Sequence, residues 1–184
     1  MEVTPSQTVG PFFGFGLPFA GGGDIVPPGD PGAVVVRGVV YDGAGTPVPD
    51  ALVEIWQPGP DGSLRGAPGS LRRTGLDFTG FARVATDPAG HWFVRTQAPG
   101  AHRPGATPYL AVCVFARGLL HHLYTRVYLP EHEAGLAADP VLGALPARRR
   151  ATLVARPERA GVYRFDIRLQ GGDAHEETVF LDLR

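Results

Sequence analysis

The sequence has no lysine, one cysteine and one methionine among 184 residues. All 17 basic residues are therefore arginine, as GC-rich coding favours, and against 18 acidic residues they leave a net charge of −1. No basic footprint for a nucleic acid exists. A lone Cys113 excludes an internal disulfide and any cysteine-based zinc site. It lies in an apolar run, which predicts a small buried hydrophobe. No stretch is long and apolar enough for a membrane span. The opening MEVTPSQTVGPFFGFGLPF lacks a positively charged start and is broken by Gly and Pro, so it does not read as a signal peptide. A cytoplasmic protein is expected. Long amphipathic helices are hard to place between 19 prolines.

What the sequence does contain is glycine (26 residues), proline and short β-branched runs. That combination predicts many strands joined by tight turns. VVVRGVVYD and ALVEIWQ flank the turn signal DGAGTPVPD. In ALVEIWQ, Leu52, Glu54 and Trp56 alternate with Ala51, Val53 and Ile55. FARVATD and HWFVRT form a second hairpin around Pro88 to Gly90. The run Leu110 to Ala116 predicts a strand buried on both faces. LYTRVYL, with Tyr124, Arg126 and Tyr128 at period two, is its neighbour, joined to it near Gly118 to His122. Residues 130–150 have weak helical character and are mostly connector. ATLVARP, GVYRFDIRLQG and EETVFLDLR read as three further strands. The expected architecture is one antiparallel β-sandwich of eight or nine strands over 34–184. Residues 1–33 form an irregular arm whose phenylalanines must pack on this sandwich or on a partner. The turn-rich excursion 58–80 is long enough to be functional.

The search for chemistry in these residues finds little. His121 and His122 are adjacent, and neighbours on a strand face opposite ways. There is no His-x-His, no HExxH, no nucleophile elbow and no phosphate loop. One residue stands out. Arg117 follows the buried run, where a guanidinium is expected to have a charged partner or an anionic ligand.

Taken together and in order, several segments resemble the intradiol aromatic-ring-cleaving dioxygenases. They are Thr4-Pro-Ser-Gln-Thr8-Val-Gly10-Pro11-Phe12-Phe13, Glu54-Ile-Trp56-Gln57, Thr86-Asp87, Arg95-Thr96 with Pro99-Gly100, Phe115-Ala-Arg117-Gly118, His122-Leu-Tyr-Thr-Arg126-Val-Tyr128, Tyr163 to Gly171, and Glu177-Thr-Val-Phe180. The resemblance implies a β-sandwich fold built around a non-haem Fe(III) held by two Tyr and two His. In this chain the ligand positions fall on Tyr109 and Ala111 (the His pair), at or near His102, and at or near Leu64. At most two of the four keep a ligating atom, and neither is the expected residue type. The resemblance therefore implies a chain without an iron of its own and a partner β chain that carries it. It further implies protocatechuate and dioxygen as substrates, opened to 3-carboxy-cis,cis-muconate. Thr8, Gly10 and Pro11 of the arm, together with Arg117, would reach the partner's substrate pocket. Arg117 also suits that role on chemical grounds, since protocatechuate carries a carboxylate. Two other readings stay open at this point: a metal-free, transthyretin-like binding module, and a self-sufficient enzyme with relocated ligands.

Overall fold

The computed structural model describes residues 10, 13–64, 71–172 and 174–182. Two sheets carry the fold. The first is built on β1 (Ala33–Tyr41), which pairs antiparallel with β4 (His91–Gln97). On its other side β1 pairs parallel with β8 (Val162–Arg164) and then β9 (Ile167–Arg168). β7 (Arg156–Arg159) closes this sheet beyond β8. The second sheet is wholly antiparallel, in the order β3 (Phe81–Ala85), β2 (Leu52–Trp56), β5 (Leu110–Phe115), β6 (Leu123–Val127).

The expected sandwich is therefore present, with one refinement. The alternating strand VYRFDIRLQ runs parallel to β1 and is interrupted at Phe165 and Asp166. There the carbonyl of Phe165 crosses Gly38 so closely that a Cβ at Gly38 would lie 1.8 Å from it. Only glycine permits that approach. Asp166 occupies the gap in the ladder, its Oδ1 accepting the Val39 N–H at 3.0 Å.

Side chains from the two facing surfaces interdigitate as the main core. β1 contributes Val36 and Val40, β2 Val53 and Ile55, β5 Leu110, Val112 and Val114, and β9 Ile167. The alternation of ALVEIWQ is observed, because Ala51, Val53 and Ile55 face this core. Three short helices fill 133–151, namely α2 (Glu133–Ala138), α3 (Pro140–Gly143) and α4 (Ala147–Ala151); α1 (Phe13–Gly16) lies in the arm. A second, smaller core of Tyr128, Leu142, Leu153 and Val179 packs beneath α3.

The expected strands at ATLVARP and EETVFLDLR are largely absent. The first begins at the end of α4 and in a turn, bridges to Tyr128 at Val154, and supplies only Arg156 and Pro157 to β7. In the second, Leu181 makes an isolated bridge to Tyr124. Its backbone is served by threonine hydroxyls in place of a ladder. Thr125 donates to the Val179 carbonyl at 2.8 Å, and the Val179 N–H donates to Thr152 Oγ1 at 3.1 Å.

The part of the arm that is described straps the sandwich at one side. Arg83 N–H donates to the Gly22 carbonyl at 3.0 Å and Arg95 N–H to the Gly23 carbonyl at 2.8 Å. Ile25 enters the main core, and Arg95 binds the Asp24 carboxylate at 2.7 Å. The strap thus covers the open edges of β3 and β4, which would otherwise present unpaired N–H and C=O groups.

Candidate functional site

The strand register sorts the outer face of the β3-β2-β5-β6 sheet into three rows. Residues directly opposite one another on neighbouring strands share a face. The rows are Phe81-Trp56-Ala111-Arg126, then Arg83-Glu54-Cys113-Tyr124, then Ala85-Leu52-Phe115. β5 runs through the middle of all three. Its core-facing residues are wholly apolar, so its chemistry lies on this outer surface.

The middle row is a locked ionic element. Glu54 is only 6% exposed and accepts from Arg83 Nε at 2.6 Å. Cys113 is buried beside it. Burial, helped by the Glu54 charge, pushes its thiol up to about 12. Such a thiol is inert near neutrality.

One end of the face holds the positions that the resemblance assigns to metal ligands. Tyr109 and His102 meet edge-on, with ring centroids 6.3 Å apart. Tyr109 and Tyr128 are tilted at 5.8 Å. The guanidinium of Arg126, across the sheet from Ala111, lies 4.1 Å from the Tyr109 ring centroid. Arg126 Nη1 donates to Tyr128 Oη at 3.1 Å, and Tyr128 Oη donates in turn to Asp139 Oδ1 at 3.3 Å. Burial works against the Arg126 charge. The Tyr128 hydroxyl, Tyr109 and Asp139 outweigh it, and the net effect is a raised pKa. Burial likewise pushes the Tyr128 phenol up to about 12, against the pull of Arg126.

These residues do not fit a ferric ion. Leu64 is aliphatic and exposed, Ala111 has no donor, and His102 is exposed. A permanent cation stands beside the two donors that remain, and it would repel a second cation. Among the described residues no cluster of three or more His, Cys, Asp or Glu could hold a metal.

The other end of the face holds Arg117, just past β5. It is not sequestered: its side chain is 71% exposed. It does have the partner that the sequence demanded, but on its own chain. Asp50, in the turn between β1 and β2, accepts from Arg117 Nε at 2.7 Å and from Nη2 with the same oxygen. The His122 ring is tilted against Phe115 at 5.4 Å between centroids and bonded to Tyr124 Oη at 2.8 Å. Gly10 adopts a left-handed φ of 79°, a conformation that glycine reaches readily. Thr8 and Pro11 fall outside the described residues. The signal that sequence reasoning missed is Arg126. Its period-two spacing with Tyr124 and Tyr128 was visible, but its apposition to Ala111 requires the register.

No helix among the described residues is long and apolar enough to cross a membrane. The family model described as Dioxygenase matches residues 21–171. The chain is 43% identical to a protocatechuate 3,4-dioxygenase alpha chain of Burkholderia cepacia, over all of this chain and 98% of that one. It is 36% identical to the alpha chain of the same name from Pseudomonas putida, over 99% and 97% respectively. Among solved structures, the dioxygenase domain of a carbohydrate-binding fusion protein from Streptomyces sp. SirexAA-E superposes with a TM-score of 0.57 at 25% identity, over 93% of this chain and all of that one. With a matching family model over most of its length and full-length relatives of that name, the chain belongs to the intradiol dioxygenase family.

Proposed function

We propose that this chain is the alpha-type component of a hetero-oligomeric protocatechuate 3,4-dioxygenase. In this reading the beta chain carries Fe(III), and this chain completes the substrate pocket. The observation that carries the proposal is the pairing of full-length likeness to alpha chains with ligand positions that hold Leu64, His102, Tyr109 and Ala111. The iron on the partner would make the bound catechol reactive toward dioxygen. The remaining contributions belong to this chain's own residues.

Arg117 is the central one. A guanidinium has five N–H donors. Asp50 takes two of them with a single oxygen, along the Nε edge. The end-on fork formed by Nη1 and Nη2 stays available and points away from that edge. A fork of this kind matches a carboxylate bidentately. Asp50 thus acts as a positioning residue that fixes the guanidinium plane, and the carboxylate of protocatechuate is the natural acceptor. Thr8, Gly10 and Pro11 would line the same pocket from the arm. The left-handed Gly10 allows backbone to lie close to a substrate without a side chain intervening.

The test is to purify the chain alone and with a beta chain, and to measure bound iron and the visible tyrosinate-to-iron band. Iron and colour are expected only with the partner. Stoichiometric iron in the isolated chain would overturn the reading. In the complex, Arg117→Ala should raise KM for protocatechuate roughly ten- to hundredfold, the loss of one to two charge-assisted hydrogen bonds. Iron content should not change. Asp50→Asn should raise KM by less and leave kcat nearly intact.

A further inference from the structure

The end of the face that would have held a metal is not filled solid. A cavity of about 600 Å³ opens there, lined by His102, Arg103, Thr107, Tyr109, Arg126 and Asp139. That volume is in the range of pockets that enclose small ligands. Arg126 reaches it from β6, and Tyr109 and Asp139 face it from the segments on either side.

The charges in the cavity are unevenly satisfied. Asp139 Oδ1 already accepts the N–H groups of Val141 and Leu142, at 2.9 and 3.1 Å, as well as the Tyr128 hydroxyl. It acts on Arg126 at a distance and makes no direct hydrogen bond to it; the bonded link between them runs through Tyr128. Arg126 uses Nη1 for Tyr128 Oη, and among the described residues no other acceptor is bonded to its guanidinium. A half-buried guanidinium with N–H donors to spare, in a concave pocket beside a second arginine, is well placed to take an anionic acceptor. Its plane is held by the Tyr109 ring, so little further ordering is required when an acceptor arrives.

We propose that this cavity is a metal-independent site for a small organic carboxylate, bound through the free edge of the Arg126 guanidinium and separate from the Arg117 end of the face. Arg103 adds a second positive charge at its rim, and the side chain of Thr107 is committed elsewhere, to the Gly135 carbonyl at 2.8 Å. The site rests on this chain's own residues and does not require that a partner carry the iron.

Two fluorinated probes test it, 4-fluorobenzoate and fluoroacetate. Each is titrated into the full chain, alone and in the reconstituted complex, with the fluorine resonance as readout. At least one probe is expected to bind saturably at one equivalent in the low-millimolar range or tighter. Arg126→Gln should abolish that binding, and Arg126→Lys should weaken it about tenfold, because a point charge replaces a planar fork. Arg117→Ala should leave it intact. Val141→Phe, which narrows the cavity from its lining while keeping the arginine, should also block it and guards against a misfolded Arg126→Gln. Binding of 4-fluorobenzoate alone would indicate a ring-bearing ligand, and binding of both a general carboxylate site. Binding by neither probe, or binding that survives either Arg126→Gln or Val141→Phe, would overturn the proposal.

Discussion

Two arginines stand at opposite ends of one sheet surface, and they are built differently. Arg117 is held along one edge by a carboxylate, Asp50, and is left open to the outside. Arg126 lies against an aromatic ring with one phenol for a hydrogen-bond partner. The ionic brace fixes direction without enclosing the charge, which suits a group that completes a pocket on another molecule. The aromatic brace encloses the charge and keeps it in its own chain. At one end an arginine across the ladder from Ala111 is held on a tyrosine ring, while the opposite end of the same face keeps a group aimed outward. The locked pair Glu54-Arg83 lies in the row between them.

The largest expected effect breaks that middle row. Arg83→Ala leaves Glu54 buried without its partner and should cost about 3–5 kcal/mol of stability, read as a fall in the urea midpoint. Both ends of the face should then lose definition together. Arg126→Ala should cost the isolated chain about 1–3 kcal/mol, from the cation–π contact and the hydrogen bond to Tyr128.

An alkaline titration sharpens the contrast further. Cys113, Tyr128 and Tyr163 are all raised to about 12, chiefly by burial, with Glu131 also accepting from Tyr163. A group raised in the folded state contributes stability that is complete below its unfolded pKa. That stability is lost as pH climbs from there toward the folded value. The urea midpoint should therefore decline between about pH 9 and pH 12, and Cys113→Ala should flatten the start of that decline. The smallest effect is at the open end. Arg117→Ala should change the stability of the isolated chain by less than about 1 kcal/mol, since exposed pairs contribute little. A large loss there would erase the distinction between the two arginines.

Most of the sandwich was legible in the sequence because its inner strands alternate strongly or are apolar throughout. β1, β2, β5 and β6 all lie where VVVRGVVY, ALVEIWQ and the central run place them. Segments with a different source of order were not legible. Residues 177–182 carry strand-like residues, but Thr125 and Thr152 serve the backbone of Val179 with side-chain oxygens, and Thr178 turns its own hydroxyl to the Arg168 N–H; period cannot reveal that. The helices of 133–151 are only four to six residues long, too short to show an amphipathic stripe, and of the three only α3 has a side-chain cap, the Asp139 carboxylate on its first turn. Arg117 was found as a residue in need of a partner. Its exposure was misjudged, because it follows the buried run yet stands beyond its end. Arg126 was passed over because its meaning lies in cross-strand register. The pairing of 115 with 122 would have shown it, since the same offset brings 126 opposite 111.

The strap at Gly22 to Ile25 has a consequence for synthesis. Asp24 leaves the ribosome early, but its partner Arg95 lies 71 residues further along the chain. At about 5–20 residues per second, this strap and the phenylalanines beside it, Phe13, Phe15 and Phe19, must wait several seconds before the strand edges that Gly22 to Ile25 cover exist. During that interval its aromatic side chains have no native surface to rest on. The strap is thus made well before the strands that fasten it, and it is among the last parts of the fold that can be tied down.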